Sequence, residues 1–576
     1  MRRTVYGFLH LVLFIFITCN PEVSNDIKFQ ELANKYVAKM ITMYPEWATY
    51  LGDHRFDNRL NDYSMQSVEN ALKTYRSYHD SLNLIMIDQL NENNKIDYQI
   101  MRSNIKEAIF KLDTLREYEW NPLYYNVGGS INGLIAREFA PLAERMQSVK
   151  GRLQDLPLVL EHTKENLLEP PKIFTETAIM QNKGVLQLVS DGLNDFLDSI
   201  PQFREDFTSV QREAITALKD YAVWLEQDLL PRSTGNFRIG ADKFEKKLHY
   251  ILESGLTKEE ILIRAQKDLD DTQNELYRTA LPLFKKHYPD ENKAEYIEDK
   301  KYVTKKVLDK LAETRPTNET IVDLAKNALK SCTDFVARNE LVSLPADPIK
   351  VIVMPEFARG IAIAYCDAPG PLEEKGETFY AISPTPQDWS KQRVESFFRE
   401  YNNYMLQNLT VHEAMPGHYL QLSHANKLKA ATQVRMIFES VTFIEGWATY
   451  AEQLMVEKGY GGPEMKMQQL KMRLRLIINA IIDQKIHTEG MTEQEAMDMM
   501  MNQGFQEEGE AAGKWRRACL SSTQLSTYYV GNIEVNDLRK AYEQKMGVNF
   551  SLKEFHDKML SYGSVAPKYM RHLLGI

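Results

Sequence analysis

Between His412 and His418 stand Pro416 and Gly417, in the run Val411-His412-Glu413-Ala414-Met415-Pro416-Gly417-His418. No other feature limits the local fold as tightly. Histidines at i and i+4 of a helix lie about 40° apart around its axis at roughly 100° per residue; at i and i+6 they lie roughly 240° apart. An unbroken helix would aim His412 and His418 at different faces. Pro416 lacks the N–H that the His412 carbonyl needs, and its ring crowds that turn. Gly417 admits backbone geometry that other residues resist. The spacing predicts a helix that bulges or breaks at 415–417 and swings His418 back toward His412. The bland reading is a helix that ends at a Pro-Gly turn with two incidental histidines.

A second stretch begins 27 residues after His418: Glu445-Gly446-Trp447-Ala448-Thr449-Tyr450-Ala451-Glu452. Two histidines and a carboxylate are a usual three-ligand set for catalytic zinc, with a fourth position left to water. Glu445 lies on an otherwise apolar helix, where a buried carboxylate needs a partner and a metal supplies one. The expected ligands are His412, His418 and Glu445. Glu413, beside the first histidine, is the expected general base. Glu452 shares a helix face with Glu445; it either orients a ligand histidine from behind or is solvated. The ligand set does not distinguish Zn²⁺ from Mn²⁺, Co²⁺ or another divalent ion.

The two stretches together resemble the bacterial family catalogued as domain of unknown function 885, and the likeness spans about 25–576 as one continuous domain. It extends to Ala48-Thr49-Tyr50-Leu51-Gly52-Asp53, to Asp483-Gln484-Lys485-Ile486-His487 and to Tyr528-Tyr529-Val530-Gly531. Members of that family resemble thermolysin-like zinc metallopeptidases. The second motif is also similar to the Glu-Gly-Phe-Ala segment of aminopeptidase N-type enzymes, whose glutamate is the third zinc ligand. This resemblance implies Glu445 rather than Glu452 in that role.

Charged residues make up 26% of the 576 and hydrophobic ones 43%, as in ordinary globular proteins. A net charge of −10 without a basic block disfavours nucleic acid as a partner. Residues 1–19 read as a leader: Arg2 and Arg3 precede an apolar run, Phe8 to Ile17, too short for a comfortable membrane span. The run ends at Thr18-Cys19, and Cys19 resembles the lipid-attachment site of bacterial lipoproteins. The expected location is therefore outside the cytoplasm, facing the periplasm or the cell surface, with membrane contact only through a lipid anchor at Cys19. Cys332, Cys366 and Cys519 are widely spaced, and three is an odd number, so a fold independent of disulfides is expected.

Helical periodicity dominates the chain. It marks 27–43, 64–88, 92–115, most of 136–335, and then 463–488, 492–503, 507–530, 533–547 and 551–562. Thr257 with Glu260 makes a capping box. Three strand-like runs interrupt the helices at Ile349–Met354, Ile361–Tyr365 and Glu377–Ile382. The expected fold is mainly α: a large helical metallopeptidase-like body with a small β-sheet beside the metal-binding helix. It divides into a helical part, 20–344, and a metal-binding part, 345–576. The resemblance to thermolysin-like peptidases implies that an open edge of that sheet holds a peptide backbone in extended form; the alternative is a sheet that only braces the helices.

Hydrolysis also needs a donor for the developing oxyanion and an anchor for the substrate. The donor candidates are His487 and Tyr528, with Tyr529 behind Tyr528. Asp483, four residues before His487, shares its helix face and would orient it. Arg475 and Arg539 are candidates to hold a substrate carboxylate, and Tyr380, on the third strand-like run, to line the substrate site. The expected activity is hydrolysis of short peptides by a zinc-dependent, exopeptidase-like metallopeptidase. A zinc hydrolase of a non-peptide amide or ester, and a binding lipoprotein that has lost catalysis, are the alternatives.

Overall fold

Most of the chain buries itself by winding into amphipathic helices, and many of these are capped from their own sequence. Thr257 and Glu260 form the expected reciprocal box at the start of Lys258–His287. Ser24, Ser64 and Asn91 cap the first three long helices, Asn25–Met43, Met65–Asn83 and Glu92–Phe110, with side-chain oxygens. The computed structural model describes residues 24–354, 363–373 and 376–576. Cys19 lies outside these. The chain is mainly α, with one small mixed sheet. No described helix is long and apolar enough to cross a membrane.

Three apolar clusters hold the helices together. One is built within 60–229 from residues such as Leu134, Leu153 and Phe207. A second packs Phe244, Leu269 and Phe284 against Leu474, Ile478 and Tyr529. The largest joins the first helices to the last: Phe29, Tyr36 and Met101 share a core with Leu406, Trp447 and Met559. The 344/345 boundary is therefore crossed by continuous packing.

The sheet has strand order β1-β3-β2. β1 (Ile349–Val353) pairs in parallel with β3 (Thr378–Ile382), and β2 (Ala364–Asp367) pairs antiparallel with it, Cys366 opposite Tyr380. β1 and β3 fall within the expected strand-like runs; of the run 361–365, residues 361 and 362 lie outside the described residues, and the described strand is Ala364–Asp367. The Tyr380 hydroxyl meets Thr410 Oγ1 at 3.0 Å and seats the sheet on the helix Asn403–Glu413. Cys332, Cys366 and Cys519 are free thiols.

Two boundaries differ most from the sequence reading: the helix expected over 64–88 ends at Asn83, and the run 507–530 is divided. The run 507–530 is two helices, Glu508–Leu520 and Ser526–Met546, and the second continues through Gly531 to absorb most of 533–547. The break at 521–525 is fixed from outside. Asp483 accepts hydrogen bonds from the backbone N–H groups of Thr523 and Ser526 and from the Ser526 hydroxyl.

Candidate metal centre

The helix carrying His412 stops at Glu413, and the next begins at His418. The break occupies 414–417, as Pro416 and Gly417 require. A β-carbon on Gly417 would lie 1.8 Å from the His412 carbonyl oxygen and 2.4 Å from that of Val411, so only glycine allows the chain to fold back so closely. The Trp447 indole N–H donates to the Pro416 carbonyl at 2.8 Å. The second motif thus pins the break in the first.

The result brings His412, His418 and Glu445 together. Their candidate ligand atoms all lie within 4.8 Å of one another. Nε2 of each histidine is 3.5 Å from Glu445 Oε2, and the three side chains are only 11%, 12% and 16% exposed. Two ligands about 2.0–2.1 Å from one ion at a tetrahedral angle stand about 3.4 Å apart. The spacing fits a single small cation. Glu445 Oε2 is buried without a hydrogen-bond partner among the described residues, an orphan that such an ion would satisfy. Burial alone would raise the Glu445 pKa, but the two imidazoles hold its carboxyl well below the usual range.

Glu452 approaches His412 from behind. Its Oε1 is 2.7 Å from His412 Nδ1 and its Oε2 accepts from Asn408 at 2.6 Å. Nδ1 so engaged leaves Nε2 for the centre, the usual device for orienting a ligand histidine. Glu413 is steadied by the sheet: the Cys366 N–H of β2 donates to its Oε2 at 3.1 Å. Burial raises the Glu413 pKa, against the pull of His412 and His418.

Tyr528 reaches the same place by close helix packing. Gly446, next to Glu445, meets Gly531, three residues beyond Tyr528. A β-carbon on Gly446 would lie 2.4 Å from the Gly531 backbone, and one on Gly531 would lie 2.1 Å from the Thr442 carbonyl oxygen. The tyrosine oxygen accepts from Arg517 Nη2 at 3.0 Å and from Gln524 at 3.3 Å, leaving its own proton free to donate. Burial, then the Glu445 carboxylate, pushes its pKa up to about 12, so the proton stays on.

Residues 45–574 match the family model described as a bacterial protein of unknown function, DUF885. The chain belongs to the DUF885 family. Its sequence is 32% identical to a solved putative lipoprotein of unknown function from Shewanella oneidensis, covering 95% of this chain and 100% of the other at a TM-score of 0.79. A putative lipoprotein from Colwellia psychrerythraea shares the fold at 16% identity, a TM-score of 0.78 and coverage of 96% and 99%. A comparison with curated proteins returns no match.

Other expected site residues of this DUF885 chain lie elsewhere. His487 is a core histidine: its Nε2 donates to the Ala518 carbonyl at 2.9 Å, its ring stacks on Phe244, and burial brings its pKa down to about 4. Asp483 shares its helix but does not orient it; the carboxylate instead ties the 521–525 turn, and so helps place Tyr528. Arg475 is committed to buried Glu400, which also pairs with Lys471 at 2.8 Å, and to Glu510 at 3.5 Å. Arg539 pairs with Glu457 at 2.9 Å. Tyr380 is fully buried and braces the helix Asn403–Glu413 rather than lining a substrate site. Tyr529 bonds Asp268 at 2.9 Å instead. The residue that sequence reasoning missed is Arg517. It sits on an ordinary charged helix, and only its contact with Tyr528, eleven residues away, singles it out.

Proposed function

We propose that this protein is a divalent-metal hydrolase of peptides, exported and anchored through a lipid on Cys19. The observation that carries the reading is the convergence of His412 Nε2, His418 Nε2 and Glu445 Oε2 beside Glu413. His412, His418 and Glu445 would hold the ion, zinc being the expected one. A bound ion of this kind polarises a carbonyl and acidifies water.

The chain's own groups supply the remainder. Glu413, held at one oxygen by the Cys366 N–H, takes a proton from the attacking water and passes it to the leaving amine. Its raised pKa suits a carboxylate that must carry that proton between steps. Tyr528 donates its hydroxyl hydrogen to the oxygen that becomes negative. Glu452 and the Trp447–Pro416 bond keep His412 and the 414–417 break in place. β2 lies at the edge of the sheet next to Glu413, where an extended peptide backbone has a surface to follow. The leader ending at Cys19 and the two solved relatives described as putative lipoproteins support the anchored location.

Metal analysis of purified protein together with a Glu413→Gln variant tests the reading. The variant is expected to retain its metal and lose peptide turnover by at least about 100-fold. His412→Ala and Glu445→Ala are each expected to lose the metal. Full turnover in Glu413→Gln would remove the base from the mechanism.

A further inference from the structure

The arginines considered as substrate anchors divide into two kinds. Arg475 and Arg539 are neutralised by carboxylates in direct contact. Arg517 is not. It is exposed to solvent and projects from the helix Glu508–Leu520. Its two protein hydrogen bonds both come from Nη2, to the Tyr528 hydroxyl and to Gln524 Oε1, each at 3.0 Å. No carboxylate pairs with it among the described residues, and its Nη1 and Nε groups donate to no protein atom there. Glu445 and Glu510 act on it only through space. The same turn that Asp483 ties down, residues 521–525, joins its helix to that of Tyr528, so guanidinium and phenol are placed as a unit.

A guanidinium with a free edge, bonded to a tyrosine hydroxyl that feels the Glu445 carboxylate, suits a planar anion bound through two parallel hydrogen bonds. On a peptide the anion available near a scissile bond is the terminal carboxylate. We infer that Arg517 binds the free C-terminal carboxylate of the substrate, so that the protein removes residues from the C-terminal end of short peptides. This inference rests on the peptidase reading above and narrows it to a substrate class.

Binding tests it apart from catalysis. An alanine-rich tetrapeptide with a free C-terminus and the same peptide ending in an amide are titrated calorimetrically into metal-loaded Glu413→Gln protein. The acid is expected to bind about 100-fold more tightly than the amide, because a charged hydrogen-bonded pair is lost in the amide. Arg517→Met in the same background is expected to bring the two affinities within a few-fold of each other, and Arg517→Lys to restore part of the difference. Equal affinities for acid and amide, including no measurable binding of either, overturn the inference, as does a preference that survives in Arg517→Met. Failure of the wild type to hydrolyse either peptide, with the binding difference intact, would count against the hydrolase reading and leave the carboxylate site standing.

Discussion

At the level of single residues, Glu452 shows how much of the candidate metal centre lies behind the three converging side chains. It is 1% exposed, and both oxygens are used, one on His412 and one on Asn408. Glu452→Gln keeps the shape but weakens the acceptor facing Nδ1. It is expected to lower metal affinity by about 10- to 100-fold with little change in folded structure, read by competition with a chelator and by circular dichroism. Unchanged affinity would show that His412 is oriented by other means. The break at 414–417, and with it the meeting of His412, His418 and Glu445, was legible in the sequence because proline and glycine act on their own turn. His487 was misread for the converse reason. Asp483 and His487 do share a helix face, but each side chain finds its partner on another segment, Thr523 and Ser526 for the one and Ala518 for the other. Spacing along a helix says which residues are neighbours, not which neighbour wins the hydrogen bond. Arg517 was invisible because its distinction is a missing partner, and charge patterning does not reveal one.

Among the elements, the contact between Val441–Glu457 and Ser526–Met546 decides the geometry of the centre. It brings backbone to backbone at Gly446 and Gly531, and it sets how far Tyr528 stands from Glu445. Gly531→Ala places a methyl 2.1 Å from the Thr442 carbonyl and 2.6 Å from the Gly446 Cα, and neither backbone is free to move aside. Forcing the helices apart is expected to cost about 1–3 kcal/mol, seen as a fall in melting temperature together with a larger loss of turnover than of bound metal. A variant with native stability would mean that the helices have slack. The sequence reading ended a helix at residue 530, just before Gly531, where the chain stays helical. Tertiary packing gives the reason: glycine is needed because the helix continues past a partner at close range, while the real break at 521–525 is enforced by an aspartate about 40 residues away. The strands fared better, since β1 and β3 are short runs rich in β-branched and aromatic residues, a signal carried within five residues each.

Across the whole molecule, buried titratable groups tie the fold to pH, and two signs compete. His556 is fully buried between Trp447 and Tyr450; its Nδ1 donates to the Leu341 carbonyl at 2.7 Å and its Nε2 accepts from the Tyr450 hydroxyl at 2.8 Å. Burial brings its pKa down to about 4. A histidine depressed in the folded state contributes stability that is fully present above its unfolded pKa, near 6.5, and is lost as pH falls toward 4. Asp483 has the opposite sign. Burial lifts it to about 7, against the three hydrogen bonds it accepts, so its contribution is present at low pH and disappears as pH rises from about 4 through 7. The two offset each other between pH 4 and 6.5, and the profile of the intact chain is expected to be shallow there. Removing one of them exposes the other. His556→Gln is expected to be most destabilising at pH 7, with its deficit against wild type shrinking by up to about 1.4 kcal/mol per pH unit on acidification, about 3 kcal/mol in all. Urea unfolding of both proteins at pH 7, 6 and 5 measures that difference directly. A deficit that stays constant with pH would show that His556 titrates in the folded protein as it does in the unfolded chain. Because Tyr450 and Trp447 sit on the helix that supplies Glu445, and Trp447 also holds Pro416, a proton forced onto His556 loosens one wall of the candidate metal centre. The same titration should therefore weaken metal retention in wild type more steeply than in the glutamine variant.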